Sequence, residues 1–223
     1  MGKTILTSKQ LDFLELIQTE PVIIKRYYWT GGTPLAEFYL RHRLSEDIDL
    51  FTEDKEVNQS QIDAYLRRIS PQLSIKLIKR SQFLGLVSYK LIYQDNEELK
   101  VDFNYYPFPR IDKGKKYHRL QVDSLYDIAA NKIHTMFMRP RTRDYVDIYF
   151  ILKTAKYPLN KLIIDAKAKF DWDIDRVTLV RQFMKVKDIK VNELPRMLVP
   201  FSRSEMEKFF LKLAQDLGKE IFK

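Results

Sequence analysis

The chain has 223 residues, 45% of them hydrophobic and 13% aromatic, enough for one large core or two small ones. Lys and Arg outnumber Asp and Glu by 39 to 30, and the resulting net charge of +9 favours polyanionic partners such as nucleic acid or nucleotides. The absence of cysteine excludes disulfides, thiolate metal sites and a cysteine nucleophile, while three histidines argue against a histidine-rich metal centre.

In chain order, "SKQLDFLELIQT" carries apolar residues at helical spacing, with Ser8 as the expected N-cap and Pro21 as the break after it. "VIIKRYYWT" is rich in β-branched and aromatic residues and predicts a strand ending at Gly31-Gly32. Thr33 and Pro34 suit the start of a helix whose apolar face would carry Leu35, Phe38, Tyr39 and His42. "DIDLF" predicts a strand and "QSQIDAYLRRIS" a helix. Three strands follow in "LSIKLIK", "FLGLVSYKLIYQ" and "ELKVDFNYY", with Asp95-Asn96 as a hairpin tip. "PRIDKGKKYHR" reads as a mobile basic connection, and from "DSLYDIAANKIHTMFM" the pattern is helical to the end. The expected fold class is α+β: a mixed-sheet domain over 1–120 with flanking helices, then a helical domain over 121–223. The N-terminal decapeptide lacks an apolar signal core and no apolar run reaches bilayer length, so a cytoplasmic protein without a membrane partner is expected.

The chemistry concentrates in "YYWTGGTPLAEFYLRHRLSEDIDLFT". Residues two apart in a strand point the same way, so Asp47 and Asp49 project together while Ile48 and Leu50 enter the core. Two carboxylates that close repel unless a cation sits between them, and hard oxygen donors select Mg2+ or Mn2+ completed by substrate phosphates. The glycines Gly31 and Gly32, placed before a helix with Thr33, offer backbone N–H groups to phosphate. Asp102 interrupts the apolar run of "LKVDFNYY" and is the candidate third carboxylate, binding metal or deprotonating an attacking hydroxyl. Each piece also has an ordinary reading. The Gly-Gly-Thr turn fits any strand-to-helix junction, and single acids serve as caps or solvated strand edges.

"GGTPLAEFYLRHRLSEDIDLF", then "KVDF", then "AANKIHTMFMRPRTRDYVDIYFIL" resemble the AbiEii-type nucleotidyltransferases. These are toxins of type IV toxin–antitoxin, abortive-infection systems within the DNA polymerase β-like nucleotidyltransferase superfamily. The resemblance covers Tyr27 to Leu152 and leaves the chain after Tyr157 unmatched. It implies an enzyme moving an NMP from an NTP to an acceptor hydroxyl, on an RNA or tRNA end or a protein, with a cognate antitoxin as partner. It implies catalytic and metal-holding roles for Asp47, Asp49 and Asp102, and nucleotide contacts from Gly31, Gly32 and Thr33. A second implied signature, a helical lysine and then Arg-Asp-x-x-Asp, is met by Lys132, Arg143, Asp144 and Asp147, with Lys132 and Asp147 catalytic and Lys132, Arg143 and Asp144 nucleotide-binding. For the helical residues the ordinary readings are a solvated Lys132 and an Asp144 that caps its helix. Two other functions fit the same residues: an inactive nucleotidyltransferase-like module that binds RNA or protein, and a small-molecule nucleotidyltransferase of the aminoglycoside-modifying kind. The basic clusters Lys113, Lys115, Lys116 and Arg139, Arg141, Arg143 read as solvated faces or as RNA-backbone contacts.

Overall fold

The structure, a computed structural model, describes residues 4–221. The chain divides into two compact units: the residues up to Tyr39 with Ser45–Ser124, and Leu40–Leu44 with everything from Leu125 on.

In the first unit, α1 (Ser8–Ile17) is capped by Thr7 rather than by Ser8. Thr7 is extended, so its hydroxyl accepts from the Gln10 amide while the Gln10 side chain accepts from the Thr7 amide. The predicted strand "VIIKRYYWT" divides. Its first part is helical, α2 (Pro21–Arg26), and only β1 (Tyr28–Thr30) is a strand. Pro21 presets the first helical turn, and Lys25 and Arg26 complement the carbonyls of the last. These local signals outweigh the β-branched composition.

After β1 come a helical turn, α3 (Gly32–Pro34), and a π-helical continuation over Leu35–Leu40. Gly31, not Thr33, is the N-cap. The helix stops before His42, because Arg41 adopts φ +50 and turns the chain out of it. Next are β2 (Ile48–Thr52), α4 (Gln59–Ile69), β3 (Ile75–Phe83), β4 (Leu86–Tyr93) and β5 (Glu98–Tyr105). Asn96, at φ +68, makes the turn between β4 and β5. Part of the predicted basic connection is structured: Lys116–Tyr117 (β6) and Leu120–Val122 (β7) form a hairpin turned by His118 at φ +49.

The seven strands make one mixed sheet in the order β3-β4-β5-β2-β1-β7-β6, with β2/β5 and β1/β7 parallel and the other pairs antiparallel. One face carries Trp29, Ile48, Leu50, Tyr89, Val101 and Phe103, which form the core with Phe13, Leu14 and Ile17 of α1 and Ile62 and Leu66 of α4. The alternate residues of the same strands therefore line the opposite face.

The second unit is helical: α5 (Leu125–Met138), α6 (Thr142–Ala155), α7 (Leu159–Phe170), α8 (Arg176–Met184) and α9 (Arg203–Ile221). Lys156 at φ +53 and Asp171 at φ +45 end α6 and α7. A buried Lys169–Asp127 pair at 2.8 Å ties α7 to α5, and the Tyr145 hydroxyl donates to the Gln182 carbonyl at 2.6 Å. The segment Leu40–Leu44 joins this unit through an Arg43–Met197 bridge, with Leu44 N–H on the Arg196 carbonyl and Leu198 N–H on the His42 carbonyl.

Candidate active site

The strand register aligns polar residues across the sheet face opposite the core. Ser88 pairs with Asp102, Asp102 with Asp49, and Asp49 with Thr30, one residue from each of four adjacent strands. The Thr30 hydroxyl continues the row by donating to the fully buried Asp123 at 2.7 Å. Asp47 immediately precedes β2, two residues from Asp49 and so on the same face. The three acids expected at the site thus share one face of one sheet.

Asp102 is almost fully buried and both its oxygens are engaged. Ser88 Oγ donates to Oδ1 and Lys100 Nζ to Oδ2, each at 2.5 Å. The same ammonium lies 4.0 Å from Asp47 Oδ2, so it is a cation shared between two of the three carboxylates. Among the described residues no three His, Asp or Glu side chains gather into a metal-holding cluster.

The glycine turn closes over Asp49. Gly31 has φ +88 and ψ −157, a conformation essentially restricted to glycine, and a Cβ there would lie 2.3 Å from Asp49 Oδ2. Thr33 donates its hydroxyl to the Asp47 carbonyl at 2.5 Å, which fixes the turn to the start of β2. Gly31→Ala is therefore expected to cost about 1–3 kcal/mol of stability through backbone strain. It should also push the Asp49 carboxylate aside. Denaturant melts of the variant beside wild type check the loss.

In the helical unit, Lys132 on α5 donates to Asp144 Oδ1 at 2.6 Å and lies 2.8 Å from Asp147 Oδ2, both acids on α6. Asp144 Oδ2 accepts from the Arg141 amide, so it caps α6 and also holds Lys132; its two readings coexist. Asp147 is fully buried. Arg43 grips it in a fork, Nε on Oδ1 at 2.7 Å and Nη2 on Oδ2 at 2.9 Å, and His42 Nε2 lies 2.8 Å from Oδ1. Arg143, in the first turn of α6, is half-buried.

Burial would raise the Asp147 carboxyl, but the Lys132 and Arg43 charges, with hydrogen bonds from Arg43 and His42, hold it well below the usual carboxylate range. Burial likewise opposes the Lys132 charge, and Asp147 and Asp144 reverse that effect and raise it. His42 is pushed down by burial, which its hydrogen bond to Asp147 only partly offsets. It is therefore a neutral imidazole donating through Nε2 to an acceptor-only carboxylate.

The signs of these shifts predict a two-stage acid response. A base with a depressed folded-state value costs stability once the unfolded chain begins to take up protons, below about pH 6.5 for histidine. Asp147, also depressed, contributes stability that is present above about pH 4 and lost as pH falls through its folded value. His42→Gln is expected to flatten the slope of stability between about pH 6.5 and 5, leaving the fall below pH 4 in place. Chemical denaturation at a series of pH values reads both stages.

The sequence profile described as nucleotidyl transferase AbiEii toxin, type IV TA system, matches residues 26–219. The chain belongs to the AbiEii family. The match runs well past Leu152, where the resemblance read from motifs ended, and takes in the helices α7 to α9. As an AbiEii nucleotidyl transferase, the protein is an enzyme of nucleotidyl transfer. It is 25% identical over 197 residues to an uncharacterized protein of Aquifex aeolicus (strain VF5), covering 87% of this chain and 89% of that one. Its fold is similar to that of a putative nucleotidyltransferase from Helicobacter pylori, with a TM-score of 0.58 at 20% identity, covering 96% and 97% of the two chains. JHP933 from Helicobacter pylori is similar in the same way, with a TM-score of 0.55 at 20% identity over 96% and 94%.

Four side chains in these networks were not singled out from the AbiEii sequence: Ser88, Lys100, Thr30 and Asp123. Ser88 is 14 residues from Asp102 and meets it only through strand register. Lys100 was detectable in principle, since i and i+2 share a strand face and place it beside Asp102. His42 was expected to extend an apolar helical stripe; it lies beyond the helix and bonds Asp147 instead.

Proposed function

We propose that this AbiEii nucleotidyltransferase uses Asp47, Asp49 and Asp102 to move an NMP from an NTP to an acceptor hydroxyl on an RNA end or a protein, as the toxin of a toxin–antitoxin pair. The observation that carries this reading is the alignment of Asp49 with Asp102 on parallel strands, beside Asp47 and under the Gly31 turn.

The donor set fits a hard divalent ion. It consists of carboxylate oxygens on one sheet face, and Lys100 Nζ already stands as the cation shared by Asp102 and Asp47. A hard divalent ion held by a few carboxylates keeps positions that phosphate oxygens of the substrate fit. Asp47, Asp49 and Asp102 are the residues that would hold Mg2+ or Mn2+. When bound, the ion supplies neutralisation of triphosphate charge and orientation of the reacting oxygens.

The protein's own groups do the rest. Backbone amides of Gly31, Gly32 and Thr33 cradle phosphate oxygens, the Thr33 hydroxyl being committed to the Asp47 carbonyl. Ser88 and Lys100 fix the plane of Asp102, which positions the acceptor hydroxyl and takes its proton. The hydroxyl oxygen forms a bond to the α-phosphorus, the bond to the β-phosphate oxygen breaks, and pyrophosphate leaves. Within the helical unit, Asp144 and Asp147 hold the Lys132 ammonium, a point charge of the kind suited to phosphate. No helix among the described residues is long and apolar enough to cross a membrane. The place of work in this reading is the cytoplasm, beside an antitoxin.

The test is incubation of the purified protein with each labelled NTP, Mg2+ and total RNA. Label transfer that depends on Asp49 is the expected result; no transfer from any NTP to RNA or protein overturns the reading.

A further inference from the structure

A second transverse row lies on the same sheet face, one step along the strands from the acidic one. Lys79 pairs with Lys90 across β3/β4, and Lys90 with Lys100 across β4/β5. Strand alternation puts all three on the face opposite the core, since their neighbours Ile78, Tyr89 and Val101 belong to the core side. Lys79 and Lys90 are exposed, Lys100 is half-exposed, and the Lys100 ammonium reaches Asp47 and Asp102. The three ammonium stems are thus spaced one strand apart, about 4.8 Å per step, in a line that ends at the acids.

We propose that this lysine ladder is the track for the phosphate backbone of a single-stranded nucleic acid whose free end presents the acceptor hydroxyl; it rests on the transfer reading above and adds the acceptor class.

Three observations support the assignment over a merely solvated face. Like charges directly opposite on neighbouring strands destabilise a sheet, so two successive Lys–Lys pairs are a cost in the free protein that a polyanion would remove. Among the described residues the acid paired with the outer lysines is Glu98, 2.8 Å from Lys90 and half exposed, a contact of the kind that contributes little and that a phosphate can replace. Lysines on an edge strand commonly guard against aggregation, which accounts for Lys79 on β3 but not for Lys90 and Lys100 on interior strands.

The face also offers what unpaired bases need. Leu77 and Phe83 alternate with Lys79 and Ser81 on the same side of β3, at 47% and 74% exposure. An exposed aromatic beside a row of cations is the combination by which single strands are held without sequence preference: phosphates on lysines, a base on the ring. Duplex lacks the free base faces this surface could stack.

The experiment measures binding of a single-stranded 12-mer RNA, the same sequence as DNA, and its duplex to the full chain by fluorescence anisotropy across a salt series. Lys79→Gln/Lys90→Gln is compared with wild type and with Lys212→Gln/Lys219→Gln, which removes the same charge from exposed positions of α9. Lys100 is left intact because it holds Asp102. The ladder variant is expected to bind single strands about tenfold more weakly, with a salt slope reduced by about 1.4 for two lost phosphate contacts. Its NTP affinity by calorimetry should match wild type. Unchanged strand affinity, an equal loss in the α9 variant, or wild-type binding of polyglutamate but of no nucleic acid overturns the proposal. Loss of strand affinity in a protein whose wild type transfers no nucleotide keeps the ladder and removes the transfer reading. Transfer to RNA by the ladder variant at an unchanged KM for RNA does the reverse.

Discussion

Asp147→Ala is expected to destabilise the helical unit by about 3–5 kcal/mol, the usual cost of removing one partner from a buried ion pair. The size follows from what remains. Arg43 is a buried cation and Lys132 a largely covered one, and Asp147 satisfies both Nε and Nη2 of the first and one donor of the second. Without it Lys132 keeps only Asp144, and the Arg43 fork and the His42 Nε2–H lose their acceptor. Asp147→Asn is the informative companion, because it preserves shape but converts half of the acceptor into a donor facing Arg43. It should destabilise nearly as much. Chevron or equilibrium denaturation of the full chain, followed by a probe in the helical unit, gives both values. A loss below about 1 kcal/mol for Asp147→Ala would mean that Asp147 does not hold a buried pair of cations.

The largest catalytic effect is expected at Asp49. Asp49→Asn should lower nucleotidyl transfer by about 10²–10³-fold, since a carboxylate proposed to hold the divalent ion is replaced by a neutral isostere. Thermal stability should stay close to wild type. The substitution relieves repulsion with Asp102 across the β2/β5 pair and leaves the core residues Ile48 and Leu50 untouched. Asp54→Asn, at an exposed position past the end of β2, is the control and should transfer at the wild-type rate. Mg2+-dependent NTP binding by calorimetry separates the cause. A variant that binds NTP as wild type does, and transfers at the wild-type rate, removes Asp49 from the catalytic set.

Much of the molecule was legible where local chemistry and tertiary context agree. The strands β2, β4 and β5 follow from alternation of apolar and polar residues and α4 from helical periodicity, while α5 to α9 lie in the stretch read as helical to the end. The glycine turn and Asp47-x-Asp49 were readable because a strand's period of two and glycine's tolerance of positive φ are properties of short segments. Elements were misread where two local signals compete. Composition favoured a strand over "VIIKR", and a proline at the first helical position with cations at the last decided for a helix. His42 looked helical because nothing in the sequence announces that Arg41 enters the left-handed region.

The sequence by itself determined the family, the acids on β2 and β5, and the order of a sheet-forming half followed by a helical one. Those depend on residue types at short spacing, which each segment carries in its own periodicity. Only the tertiary structure decided which distant residues meet: Ser88 and Lys100 on Asp102, Arg43 and His42 on Asp147, and Lys79, Lys90 and Lys100 in one line. Such meetings follow from strand register and from the crossover of Leu40–Leu44 to the helical unit. Register is set by which faces must leave water together, a property of the assembled sheet that no single strand contains.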